Sequence, residues 1–349
     1  MPTESGKLGI AMIGCGEIAA AYLPAVAAQE DGEAVICADV SEAQAKRIGE
    51  MFNIPWTTNV DEVFANPNVD AVIISVPHGL HAELTIKAAA AGKHVMCDKP
   101  ISTNREDALA MIQACKNAGV KLGINLASRY QTCATVAKDL IERKVIGDII
   151  LIKQSVYIRK PDRYWIMGWI EGSNTSWRGS KKMGGGGIGI MNMTHEIDRM
   201  RYVTGLEVTQ VKGESDTFAT NVEVEDTLAG VYRYNNGAIG VVIAGSHLYG
   251  ESHEPTRIFG TLGQIELWDP VRVFTTREDT EFTPNEWHTA HSGWDEDSYI
   301  PYITDFLKAI KNDTASPITG EDGFRVLDAV LGIYDSSDKR ETIFMKEDI

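Results

Sequence analysis

Two patterns of apolar and polar positions divide the chain. Over the first 125 residues, short continuous apolar runs alternate with segments whose apolar positions recur every three to four residues. Such runs are typical of parallel strands buried on both faces, and the segments between them of crossover helices. The pattern predicts strands at 8–13, 34–38, 71–75, 94–97 and 121–124, and helices at 17–29, 41–52, 60–65, 80–91 and 104–118. This alternation predicts a doubly wound parallel sheet of the α/β class.

From about residue 147 the pattern changes to longer strands joined by hairpin signals such as Asn235-Asn236-Gly237. Consecutive hairpin strands predict a second, α+β domain with a large, mostly antiparallel open sheet. We predict a first domain at residues 1–126 and a second at 127–349. In the second domain the pattern predicts strands at 149–159, 208–218, 227–234, 238–245, 257–259 and 264–268, and helices at 188–202, 302–311 and 323–336.

Composition narrows the class of partner. The 349 residues carry 33 Lys and Arg against 49 Asp and Glu, a net charge of −16. So acidic a chain repels nucleic acid and anionic membrane surfaces, so we expect neither as a partner. Five cysteines without a Cys-x-x-Cys pair predict neither a disulfide framework nor a metal site, and favour a reducing, cytoplasmic location. A soluble enzyme acting on small molecules fits this composition.

The strongest local motif is Gly14-Cys15-Gly16-Glu17-Ile18-Ala19, between the first predicted strand and helix. In such a G-x-G-x-x-A loop the first glycine permits a tight turn, and the second lets a pyrophosphate approach the backbone. The small third residue allows close packing of helix on strand, and the helix N-terminus favours the anion. The motif has the strand and helix context that it requires, so it predicts a dinucleotide site.

Asp39 ends the second predicted strand, where a carboxylate can accept hydrogen bonds from the adenosine ribose. It would repel a 2′-phosphate, and no Lys or Arg follows before Lys46. The position therefore favours NAD over NADP, although an ordinary turn aspartate at a strand end stays an alternative.

Two further clusters carry candidate chemistry. Asp98-Lys99-Pro100 follows a predicted parallel strand, at the sheet edge where ligands bind, and a desolvated lysine can deprotonate a hydroxyl. The glycine run at 184–187 precedes a predicted helix with His195 and Asp198 on one face, and histidine moves protons near neutral pH. Taken alone, a surface lysine in a salt bridge and a core histidine are the commoner explanations.

Together, in this order, the motifs resemble the Gfo/Idh/MocA family of NAD(P)-dependent oxidoreductases over nearly the whole chain. The resemblance rests on the glycine loop, Ser75-Val76-Pro77 with His81, the segment 92–100, Trp177-Arg178 before the glycine run, and the segment 195–198. It extends to the C-terminal segments 305–307 and 317–323. It implies a Rossmann domain for the first half and a hydride-transfer site between the two domains.

The resemblance also implies roles for individual residues. Lys99 matches the family's catalytic lysine, and His195 its substrate-binding or acid/base histidine. Asn192 is a polar neighbour that could bind a substrate hydroxyl. The cofactor residues implied are Gly14, Gly16, Glu17, Ile18, Ala19, Asp39, Ser75, Pro77, His81, Asp98, Lys99 and Asn125.

Two positions depart from the family pattern. Asp98 stands where the family usually has glutamate, which keeps the charge but shortens the side chain by one methylene. Met191, four residues before His195, stands where sugar and inositol dehydrogenases often carry aspartate. Proton abstraction therefore falls to Lys99 and His195, and a specificity for inositol or a simple aldose does not carry over.

The segment 153–182 is basic and aromatic in an otherwise acidic chain. It holds seven Lys and Arg against two Asp and Glu, with Trp165, Trp169 and Trp177. Aromatic faces stack on sugar rings while cations hold hydroxyls, carboxylates or phosphates. We predict that Arg163, Trp165 and Trp177 bind a glycoside, uronate or other anionic sugar derivative. A subunit contact in an oligomer is the alternative for this segment.

These observations predict an NAD-dependent enzyme that moves a hydride between the nicotinamide and a secondary alcohol of a sugar, polyol or glycoside. Lys99, assisted by His195, would accept the hydroxyl proton. One alternative is a glycosidase that oxidises a ring carbon, eliminates the aglycone and regenerates NAD; another is a sugar or dinucleotide sensor without chemistry. By resemblance we also expect a homodimer or homotetramer.

Overall fold

The structure is a computed structural model that describes residues 6–168, 176–248, 254–293 and 297–346. Its first half contains a six-stranded sheet in which every adjacent pair is parallel. The strands are β1 (Leu8–Ile13), β2 (Gly32–Ala38), β3 (Trp56–Thr57), β4 (Ala71–Ile74), β5 (His94–Asp98) and β6 (Leu122–Asn125). Their order is β3-β2-β1-β4-β5-β6, which is the Rossmann order and confirms the predicted doubly wound sheet, although the two-residue strand β3 was not predicted.

Helices link these strands, and their ends follow local sequence signals. They are α1 (Ala19–Ala27), α2 (Glu42–Phe52), α3 (Val60–Ala65), α4 (His81–Ala90) and α5 (Arg105–Ala118). At the start of α5 the Asn104 side chain accepts a hydrogen bond from the Asp107 N–H at 2.9 Å, and at its end Gly119 takes a left-handed φ of 69°. All five helices were predicted, with ends that differ by up to two residues.

The second sheet has nine strands in the order β14-β13-β12-β11-β7-β10-β9-β8-β15. All its neighbours are antiparallel except β7 and β10. The strands are β7 (Ile149–Tyr157), β8 (Val208–Asp216), β9 (Thr227–Tyr234), β10 (Ile239–Gly245), β11 (Thr256–Gly260), β12 (Gly263–Leu267), β13 (Val271–Thr275), β14 (Trp287–His291) and β15 (Ile343–Phe344). This confirms a large, mostly antiparallel open sheet.

Within the described residues, six further helices are α6 (Thr132–Glu142), α7 (Asp162–Met167), α8 (Lys181–Gly184), α9 (Thr194–Thr204), α10 (Tyr299–Lys311) and α11 (Gly320–Lys339). The segment predicted as one helix at 188–202 is instead a π-helical turn, Gly189–Met193, followed by α9. Single π turns of this kind are frequent at functional sites. The π turn packs against β7 of the second sheet.

The C-terminal helices pack back onto the first sheet. Helix α10 packs on α1, and the Tyr302 hydroxyl donates to the Ile124 carbonyl at 2.8 Å. Thr319 forms a backbone bridge to Gly123 of β6. A continuous buried apolar core joins the two sheets. Among the described residues, no helix is both long enough and apolar enough to cross a membrane.

Candidate active site between the two sheets

The glycine loop lies where the strand order reverses, between the ends of β1 and β4. Gly14 has φ +92°, and a Cβ added there would lie 2.1 Å from the Ser75 carbonyl oxygen, so only glycine fits this close approach. A Cβ added at Gly16 would meet nothing within 4 Å, so the second glycine faces open space. This is the geometry that a pyrophosphate needs to reach the backbone at the start of a helix.

Asp39 is held against this loop. Its carboxylate accepts hydrogen bonds from the Cys15 and Ser41 N–H groups, both at 2.8 Å. Arg47, on α2, donates to the Cys15 carbonyl at 3.0 Å. The carboxylate therefore stands at the mouth of the loop in a fixed orientation, and a guanidinium lies near it.

Polar side chains meet at the carboxyl ends of β4, β5 and β6. The Asp98 carboxylate accepts from the Ser75 hydroxyl at 3.1 Å, from the Asn125 amide at 3.4 Å and from the Lys99 N–H at 2.8 Å. The Asn125 amide also donates to the Tyr22 hydroxyl. Four of the residues named from the sequence therefore form one connected group at the sheet edge.

His81 is placed differently from its neighbours in sequence. Its ring is fully buried, and its two nitrogens lie 2.9 Å from the Pro100 carbonyl and 3.0 Å from the Val76 carbonyl. His81 therefore ties the loop after β4 to the loop after β5. Pro77 begins the short turn that leads into α4.

Lys99 reaches across from the first sheet to the second half of the chain. Its ammonium donates to the Met191 carbonyl oxygen at 2.7 Å. Burial lowers the pKa of Lys99 below 10.5, and the positive charge of Arg178 acts in the same direction while Asp98 opposes it. Position 191 is methionine and not aspartate, so Lys99 is hydrogen-bonded to a backbone carbonyl of the π turn and not to a carboxylate.

His195 is the second residue of α9, which follows the π turn directly. It lies close enough to Lys99 for their charges to interact. Burial lowers the pKa of His195 well below 6.5, and the cations Lys99 and Arg199 act in the same direction. The imidazole is therefore neutral at neutral pH. No other described residue forms a hydrogen bond with its ring.

Asp198 does not join His195, although the two positions lie three residues apart on one helix. Its fully buried carboxylate pairs with the Arg129 guanidinium at 2.8 and 2.6 Å. Arg129 also pairs with Asp322 at 3.0 Å. This network fixes α9 against α11, and so holds His195 in place without touching it.

Asn192 and the glycine run complete this side of the site. The Asn192 side-chain oxygen is buried without a partner in the described part of the chain. In the glycine run at 184–187, a Cβ at Gly187 would lie 1.8 Å from the Glu225 carbonyl oxygen. The buried Glu225 carboxylate accepts from the N–H groups of Gly187 and Gly189 at 2.6 and 2.9 Å. The glycines therefore permit close packing.

Arg178 connects the two halves of the site. Its guanidinium pairs with Glu17 of the glycine loop at 3.3 Å and stacks on Trp177, 4.8 Å from the ring centre. One guanidinium nitrogen, Nη1, is buried without a partner. The Trp177 ring in turn packs edge-on against the His78 ring at 4.6 Å. Ile18, the next residue of the loop, is exposed.

The residues of the basic and aromatic segment 153–182 differ in their exposure. Trp165 is buried at 1% exposure, beneath the ammonium of Lys160. Arg163 is exposed on α7 and, within the described residues, forms no hydrogen bond or ion pair with a site residue, so its role in substrate binding stays a prediction. Trp169 lies outside the described residues.

Sequence reasoning missed Lys160, Arg178, Glu225 and Tyr22 as site residues. Arg178 had a signal, since it follows Trp177 in a segment that resembles the family. Lys160 and Glu225 had none, because their closeness depends on strand pairing over long separations. Within the described residues, no group of three His, Cys, Asp or Glu could hold a metal ion.

Comparison with known proteins agrees with this geometry. The oxidoreductase family model with an NAD-binding Rossmann fold matches residues 8–126, and the Gfo/Idh/MocA C-terminal domain model matches residues 135–266. The chain is 26% identical to a myo-inositol 2-dehydrogenase of Thermotoga maritima, over 97% of this chain and 98% of that protein.

Two solved structures resemble the whole chain. A levoglucosan dehydrogenase in complex with NADH and levoglucosan has a TM-score of 0.84 at 25% identity, covering 97% of this chain and 99% of the other. The WlbA dehydrogenase from Bordetella pertussis, in complex with NADH and UDP-GlcNAcA, has a TM-score of 0.84 at 25% identity, covering 98% and 100%. The chain is an oxidoreductase enzyme and belongs to the Gfo/Idh/MocA family.

Proposed function

We propose that this enzyme oxidises a secondary alcohol of a sugar or polyol with NAD, or catalyses the reverse reduction. The observation that carries the proposal is the position of Lys99. Its ammonium leaves the carboxyl edge of the cofactor sheet and ends at the Met191 carbonyl of the second half, one residue from Asn192. A substrate held there lies between a dinucleotide loop and a desolvated lysine.

NAD is the cofactor that these residues fit. The backbone of the glycine loop would hold the pyrophosphate, and Asp39 would accept bonds from the adenosine ribose while repelling a 2′-phosphate. Arg178, with its unpartnered nitrogen beside Glu17, would lie against the same groups. When bound, NAD supplies the hydride acceptor.

The protein's own residues handle the proton. Lys99 in its neutral form accepts the proton of the reacting hydroxyl, and its lowered pKa makes that form accessible nearer to neutral pH. His195 is neutral, so it can orient the same hydroxyl by a hydrogen bond. Asn192 presents an unpartnered oxygen that can accept from a second hydroxyl. Positioning and charge stabilisation in this buried site would supply most of the rate.

The outer face of the second sheet supports a homodimer or homotetramer. Ile150, Val231, Ile239 and Phe344 are exposed between 38% and 70% on its strands. Apolar side chains grouped on one sheet face favour a contact with a second copy. Light scattering on the purified chain tests this, and a monomer at micromolar concentration would contradict it.

The direct test is absorbance at 340 nm with the purified enzyme and NAD, across aldoses, polyols, uronates and glycosides. We expect a rise with at least one of these substrates, abolished in Lys99→Ala. Release of product from a glycoside without any rise would contradict a net dehydrogenase and favour the glycosidase that regenerates NAD.

A further inference from the structure

A buried lysine beside the catalytic lysine has no assigned role. Lys160 follows β7 and is only 2% exposed. Its ammonium donates to the Tyr164 hydroxyl at 3.1 Å and lies 4.2 Å from the centre of the Tyr164 ring. No described Asp or Glu lies within ion-pair distance of it. A buried cation without a carboxylate partner is unusual, because burial strongly disfavours an uncompensated charge.

Lys160 is connected to the cleft through Tyr164, because the Tyr164 ring that it contacts lies 5.2 Å from the guanidinium carbon of Arg178, which pairs with Glu17 of the glycine loop. Its positive charge contributes to lowering the pKa of His195, and the charges of Lys99 and Arg178 contribute, after burial, to lowering the pKa of Lys160. Glu225 is the one acid that acts on Lys160 in the opposite direction. Its carboxylate is already occupied by the N–H groups of Gly187 and Gly189 and by the Tyr334 hydroxyl.

A second unpartnered donor lies next to this lysine. Trp165 is 1% exposed, its ring centre is 5.5 Å from the Lys160 ammonium, and its indole N–H has no acceptor among the residues that the structure describes. Buried donors of this kind are normally paired. One carboxylate, which offers two acceptor oxygens, can meet both the ammonium and the indole.

We propose that Lys160 and Trp165 form a subsite for a carboxylate carried by the substrate, so that the preferred substrate is a sugar acid of the uronate type. This inference rests on the proposed oxidoreductase function and specifies its substrate class. A carboxylate fits the subsite, because its two oxygens can accept from the Lys160 ammonium and from the Trp165 indole N–H.

The test compares acids with their parent sugars. Calorimetry measures the binding of D-glucuronate, D-galacturonate, D-glucose, D-galactose and D-glucose 6-phosphate to the enzyme saturated with NADH. The variants are Lys160→Met, which keeps the length without the charge, and Trp165→Phe, which removes only the indole donor. Lys153→Met is the matched control, since that lysine pairs with Glu254.

We expect the wild-type enzyme and Lys153→Met to bind each uronate at least about tenfold more tightly than its aldose, and Lys160→Met to lose that preference. Trp165→Phe should weaken it severalfold. Unchanged melting temperature and NADH affinity show that the variants are folded. If Lys160→Met does not fold, Trp165→Phe decides the question.

Three results would overturn the subsite: uronates that bind no tighter than aldoses, glucose 6-phosphate that binds tighter than glucuronate, or a uronate preference that survives in both variants. Binding separates this inference from the function on which it rests. A uronate preference that depends on Lys160, without NADH formation from any sugar, would support the subsite and contradict the dehydrogenase.

Discussion

The glycine loop, residues 14–19, and the group around Lys160, which comprises Lys160, Trp165 and Glu225, are held in place by different means. The loop is built by residues 14–19 and depends on backbone geometry: a positive φ at Gly14 and open space at Gly16. The group around Lys160 depends on side chains from distant segments: Lys160 and Trp165 follow β7, and Glu225 precedes β9. A cofactor shared by many enzymes can be held by backbone, whereas a particular substrate is held by side chains.

The largest expected effect lies where the two sides meet. Replacing Lys99 by Met removes the base and should lower turnover about 10³-fold, while NADH affinity stays the same because the glycine loop is untouched. Lys93→Met is the control, since that lysine lies at the other end of β5 and donates to the Asn66 and Val69 carbonyls. Steady-state kinetics and NADH titration measure both, and a Lys99→Met enzyme with near-normal turnover would assign the proton to another group.

On the cofactor side, Asp39→Asn should lower kcat/KM for NAD about tenfold and reduce the discrimination against NADP. The amide loses the charge that repels a 2′-phosphate but keeps one oxygen for the Cys15 N–H. Kinetics with both cofactors check this. If wild type and variant use NADP equally well, Arg47 rather than Asp39 governs the choice.

On the substrate side, Met191→Asp should move the pH profile. A carboxylate beside Lys99 favours the ammonium form and so raises the pKa of the lysine. Oxidation needs the neutral amine, so the rate increases as the pH passes the pKa of Lys99. In the variant this increase should therefore occur at a higher pH. Met191→Leu should keep the wild-type profile. A rate profile that is unchanged in Met191→Asp would show that Lys99 is not the titrating base.

The smallest effect is expected at Arg163. Its side chain is exposed on α7, so Arg163→Ala should change KM for the sugar by no more than about twofold. A much larger rise in KM would show that Arg163 contributes to substrate binding, as the sequence analysis predicts for this basic segment.

The sequence predicted the fold well because its strongest signals are local. Apolar runs, capping residues and the glycine loop each act over a few residues. These signals predicted all five helices that link the strands of the first sheet. The short strands β3, β13, β14 and β15 were not predicted, because their pairing depends on neighbours in the sheet rather than on their own pattern.

The site was predicted in part, for the same physical reason. Lys99 and the polar group around Asp98 follow strand ends, so sequence position alone brings them together. Asp198 was expected beside His195, but its partner Arg129 comes from 69 residues earlier in the chain. Lys160 was only one of seven cations until the fold buried it.

The most direct test of hydride transfer in this cleft uses the sugar that gives the largest rise at 340 nm, deuterated at the carbon that bears the reacting hydroxyl. Mass spectrometry of the NADH that forms should show one deuterium per molecule with the wild-type enzyme, and Lys99→Met should form NADH about 10³-fold more slowly. NADH without deuterium would contradict direct transfer from that carbon, and with it the assignment of this cleft as the site of oxidation.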